Sequence, residues 1–78
     1  MTDEDRSIAN IETCRRINRS AAAKYADHGV TPADAAIAAI YSAHDLAMQM
    51  GHAPVGAIEW MRTALDVMET QLLPGTAH

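Results

Sequence analysis

The tightest constraint on this chain is a set of helix starts and stops that cuts it into three segments. Thr31-Pro32-Ala33-Asp34 places a capping hydroxyl before a proline at the first helical position, and an acid follows three residues after the cap. Proline lacks an N–H, but the first turn of a helix offers that group no intrahelical acceptor, so the ring is tolerated there. Just upstream, His28-Gly29-Val30 supplies a stop. Gly29 can adopt the left-handed conformation past the last turn, and Val30 can fold back onto the helix it leaves. The same grammar recurs at Gly51 and Pro54. At the beginning, Thr2 followed by Asp5 has the form of a capping box, with acids in the first turn where the helix dipole favours them. The expectation is an all-α chain with helices over about 3–28, 32–50 and 54–73, the last ending before Leu73-Pro74-Gly75. Connections this short favour antiparallel neighbours. The reading is a compact three-helix antiparallel bundle, one domain over 1–78, packing further as an oligomer.

A chain of 78 residues has a small interior. Of its apolar residues 16 are alanine, phenylalanine is absent, and one Trp and two Tyr stand beside six Ile and four Leu. Ordering costs on the order of 1.5 kcal/mol per residue, so a core this thin leaves the folding balance near zero. Cys14 is the single cysteine, which excludes a disulfide framework and a cysteine-rich zinc site and fits a reducing compartment. Oligomerisation is the remaining common source of stability.

The start Met1-Thr2-Asp3-Glu4-Asp5 lacks the positive charge and apolar run of a secretory signal. No apolar stretch approaches the roughly 20 residues that span a bilayer. The expectation is a cytoplasmic protein without a membrane partner. The net charge is −4. Residues 1–28 balance Arg6, Arg15, Arg16, Arg19 and Lys24 against five acids, whereas Arg62 is the one Lys or Arg after them. An acidic body lacks the electrostatic footprint of nucleic-acid binding, so that partner is disfavoured.

At about 100° per residue, the second helix carries Ile37, Ile40, Ala43, Ala47 and Met48 on one side. Ala35, Ala39, Leu46 and Met50 extend the apolar character most of the way round, which is the pattern of a buried helix. In the third helix Ile58, Met61, Ala64, Leu65, Met68 and Leu72 form the expected core stripe, with Trp60 and Val67 together at its far edge. In the first helix the seam is Ile11, Cys14, Asn18, Ala21 and Tyr25, spaced as in a coiled coil.

Each chemically interesting residue has a plain structural alternative. His44 lies on the apolar face of the second helix, where it is a candidate pH-sensitive group, metal ligand or general base. No second ligand recurs at helical spacing, so a half-buried histidine bonded to a neighbour is preferred. His28 and His52 flank helix ends, and His78 belongs to the tail. Cys14 reads as a small core residue, since Arg15 and Arg16 do not share its helix face. The basic residues of the first helix read as a solvated face with pairing such as Glu12 to Arg16. Asn18 either fixes the register of an assembly or sits in a half-exposed seam. The Met residues of the second and third helices read as core filler. Trp60 belongs to the type of residue enriched at interface hot spots, or is covered by the first helix.

The third helix, through Ala57, Met61 and Ala64, resembles the second helix of a tetratricopeptide repeat. The preceding helix offers Ile40, Ala43 and Ala47 at matching packing positions. The resemblance covers residues 33–69 in a single copy, with His44 near the usual glycine-like position and the closing Pro74 late. It implies a tightly packed helical hairpin and transfers no peptide-binding residue.

The function expected from these residues is a non-enzymatic protein–protein interaction module. It would self-associate as a homodimer, or bind another protein, through Trp60, Val67, Ala64, Leu46 and Met50, with Asn18 on the first helix. The alternatives are a small DNA-binding regulator using the basic first helix and a metal or catalytic site built on His44. No cofactor, metal or small-molecule substrate is called for.

Overall fold

The computed structural model describes residues 2–72. It contains three α-helices, α1 (Asp3–Asp27), α2 (Pro32–Gln49) and α3 (Pro54–Leu72), and no strand among the described residues. The all-α class and the order of the helices are those expected. The expected helix end at Leu73-Pro74-Gly75 lies outside the described residues.

The caps explain the boundaries. Asp5 N–H donates to the Thr2 hydroxyl, and the Thr2 N–H returns a bond to the Asp5 carboxylate, so the capping box is complete. α1 stops one residue short of the expected His28, because His28 is the C-cap and Gly29 follows with φ 80°. Gly29 N–H donates to the Ala26 carbonyl and Val30 N–H to that of Tyr25, the paired bonds of a Schellman motif. Asp34 N–H donates to the Thr31 hydroxyl at 3.2 Å, which starts α2. α2 also ends one residue early, at Gln49, with Gly51 at φ 100° and its N–H donating to the Met48 carbonyl. α3 begins without a side-chain cap. The Ala53 carbonyl accepts the Ala57 N–H at 2.8 Å, and Pro54 stands at the first helical position.

The chain divides into two units, Met1–Ile37 and Ala38–His78, with the division inside the continuous helix α2. In the first unit no described residue is buried, and only Ala21 and Ala35 are half-buried. Cys14, expected in a core, is exposed. Glu12 pairs with Arg15 at 2.9 Å rather than with Arg16, which instead donates to the Thr13 hydroxyl. Both arginines lie within helical reach of Glu12, and the side-chain conformers select the nearer one.

The second unit is a helical hairpin. Ala47 and Ala57 are 1% and 0% exposed and are its buried residues, while Ala43, His44, Met48, His52, Gly56 and Met61 are half-buried. Of the positions the repeat-like pattern named, Ala47 and Ala57 are buried and Ala43 and Met61 half-buried, whereas Ile40 and Ala64 are exposed, so the covered part of the hairpin is smaller than that pattern implied. Beyond Ala43 on α2 and Met61 on α3, every described residue of the unit is exposed. This corrects the expected core stripe of α3. Ile58, Ala64, Leu65, Met68 and Leu72 all face solvent, and Met61 alone of that set is half covered. The physical reason is geometric. The buried pair lies beside the connection, and alanine side chains are too short to cover the rest of either helix.

Candidate functional site

Among the described residues one side-chain hydrogen bond links the two helices of the hairpin. His44 Nε2 lies 3.0 Å from the Pro54 carbonyl oxygen, joining α2 to the first residue of α3. A carbonyl only accepts, so Nε2 must carry the hydrogen, which fixes the neutral ring's tautomer. His44 is thus a half-buried histidine bonded to a neighbour, as the sequence suggested, although the partner ten residues on was not foreseen. No group of three or more His, Cys, Asp or Glu converges among the described residues. A shallow depression of about 300 Å³, lined by Thr13, Arg16, Ile17 and Ser20, lies along one helix. All four lining residues come from α1, so no second element closes over it.

A second contact beside the connection was not expected. The rings of His52 and Trp60 stand 6.3 Å apart with planes inclined by 36°. This lies within the range of favourable aromatic contacts. Gly56 lies one turn before Trp60, and a Cβ added there would meet the His52 ring at 3.8 Å, an ordinary contact distance. His52 therefore braces one side of the indole, and Trp60 remains 41% exposed.

The candidate interface residues are all open to solvent. On α3, Trp60, Ala64 and Val67 share a face at helical spacing and are exposed. On α2, Leu46 and Met50 do likewise, at 60% and 58% exposure. Counted from the buried line through Ala47 and Ala57, both sets turn to the same flank of the hairpin, because the two helices run in opposite directions. Asn18, the remaining candidate, is exposed on α1 together with Ile11 and Cys14. His28 caps α1, and the tail residue His78 lies outside the described residues.

Arg15 and Arg62 form exposed i,i+3 pairs with Glu12 and Glu59. Pairs of this kind contribute little to stability. No helix among the described residues is long and apolar enough to cross a membrane. In comparisons with known proteins, the chain matches no family model, no curated protein and no solved structure.

Proposed function

We propose that the chain is a non-enzymatic protein–protein interaction module that self-associates through the flank formed by Leu46, Met50, Trp60, Ala64 and Val67. The observation carrying this reading is the division of labour in the hairpin, where alanines occupy the buried contact while the large apolar side chains remain outside. Fully burying a large aliphatic side chain contributes about 1.5–3 kcal/mol. Covering the exposed halves of Leu46, Met50 and Val67 then contributes about 1 kcal/mol each. Trp60 adds about 2.5 kcal/mol, from about 100 Å² of uncovered surface at 25 cal/mol per Å².

A twofold dimer counts every residue twice, giving about 11 kcal/mol against an association cost of about 4–15 kcal/mol. A free thiol at Cys14 accords with a cytoplasmic setting.

Sedimentation velocity from low micromolar to about millimolar concentration tests the proposal. The expected result is a mass that rises from one chain toward two as concentration increases. A single-chain mass across the whole range, with helicity retained on heating, overturns it.

A further inference from the structure

Trp60 stands in the flank proposed above, and the ring packed against it comes from outside both helices. A helical side chain leans toward the turn before it, so the residue four places earlier normally lies against it. For Trp60 that residue is Gly56, which has no side chain to offer. His52 takes the place instead, from the connection between α2 and α3. Its Nδ1 and Cβ come within 3.8 and 3.9 Å of where a Cβ at Gly56 would stand. Its ring lies 6.3 Å from that of Trp60, with the planes inclined by 36°.

We propose that His52 is a positioning residue, whose ring holds the Trp60 indole in the orientation that a second copy of the chain meets. The proposal rests on the self-association inferred above and names what prepares its largest side chain. The connection keeps the His52 ring in place. Gly51 N–H donates to the Met48 carbonyl and takes φ 100°, which closes α2 just before His52. Pro54 follows two residues later, fixing its own φ and disfavouring helical backbone at Ala53. The Ala53 carbonyl accepts the Ala57 N–H, and the Pro54 carbonyl is bonded by His44. His52 therefore has bonded backbone on both sides, and it is half-buried.

Trp60 is 41% exposed, and an indole that open turns about its two side-chain bonds unless a neighbour blocks it. A side chain that must be ordered when a partner covers it weakens association by about 2- to 12-fold. An indole already held by His52 is ordered in the single chain. A twofold dimer contains the pair twice, so removing the brace weakens it by roughly 5- to 150-fold.

Trp60 is the single tryptophan, so its fluorescence, excited apart from Tyr25 and Tyr41, reports this site alone. Three full-length chains are compared: the parent, His52→Gln, which keeps a polar side chain without a ring, and His52→Phe, which keeps a ring. His52 lies outside both helices, so neither substitution interrupts one. Time-resolved anisotropy, at a concentration where sedimentation gives a single-chain mass, measures nanosecond turning of the indole. Sedimentation velocity across a concentration series gives the dissociation constants, and far-ultraviolet circular dichroism gives the helicity.

In single-chain His52→Gln, the anisotropy lost to local motion is expected to rise at least about twofold, and the dissociation constant by roughly 5- to 150-fold. His52→Phe returns both to parent values. Equal indole motion in the three chains overturns the proposal, and if the parent dimerises it leaves the self-association reading standing. A dissociation constant of His52→Gln within about threefold of the parent also overturns it. So does a loss of helicity in His52→Gln that His52→Phe does not repair, because His52 then acts through its ring on nothing but the fold. A parent that stays a single chain at every concentration overturns the self-association reading, and the affinity assigned to His52 with it.

Discussion

Replacing Trp60 with glutamate tests the proposed interface. The indole is 41% exposed, so about 100 Å² of it is available to a partner. At 25 cal/mol per Å² that surface contributes about 2.5 kcal/mol per chain, or about 5 kcal/mol in a twofold dimer that covers both rings. If the partner covers only half of each ring, the loss is about 2.5 kcal/mol. Each 1.4 kcal/mol is tenfold in affinity, so Trp60→Glu raises the dimer dissociation constant by roughly 60- to 4,000-fold.

The same substitution removes the His52 contact within each chain, which is worth about 0.5–1.5 kcal/mol to the hairpin. Trp60→Phe keeps a ring against His52 and much of the apolar surface, and serves as the control. Sedimentation velocity across a concentration series measures association, and far-ultraviolet circular dichroism of the same samples measures helicity. A dissociation constant within threefold of the parent refutes the argument. So does a loss of helicity in Trp60→Glu that accounts for the loss of dimer.

Two further substitutions probe the packed contact itself. Gly56→Ala is expected to stabilise the protein by about 0.5–1 kcal/mol, because the new methyl meets His52 at ordinary van der Waals distance while the helix loses its most flexible residue; urea or thermal unfolding reads the change, and a destabilised variant contradicts it. Ala57→Leu is expected to cost about 1–3 kcal/mol, since a side chain with no exposed surface has no space to grow without driving α2 and α3 apart at the His44–Pro54 bond; unchanged unfolding midpoints would show that the contact is loose.

The helix ends were legible in the sequence because each is set by a local rule. Thr2 with Asp5, Gly29 with Val30, and Thr31 with Pro32 each fix a backbone hydrogen bond within a few residues of themselves. Burial was less legible. An amphipathic pattern tells which side chains need a cover but not what supplies it. Cys14 and Leu65 illustrate the difference. Both occupy apolar stripes, and both are open to solvent in the single chain.

The His44–Pro54 bond was half legible. A histidine on an apolar face demands a partner, and the pattern around His44 said so. The partner is a backbone carbonyl across a tight connection, and helical periodicity carries no information about such a group. The His52–Trp60 contact escaped for the same reason. No sequence signal marks it, since a Cβ at Gly56 would also fit beside the His52 ring.

The distribution of side-chain sizes gives the strongest argument that the hairpin is part of a larger assembly. Alanines at a helix crossing permit close approach, yet they remove little apolar surface from water. A hairpin selected to be stable alone would place leucine and isoleucine at the crossing and leave alanine for the flanks. This chain does the reverse. Ala47 and Ala57 take the crossing, while Leu46, Met50, Trp60 and Leu65 stand outside it. The same inversion holds in α1, where Ile8, Ile11 and Ile17 are more than half exposed and the half-buried residue is Ala21. Close approach at small residues gives the helices a defined geometry, and the large side chains then form a preset surface. On the proposed reading, a partner meeting that surface would gain the burial that the single chain forgoes, so association would stabilise the fold.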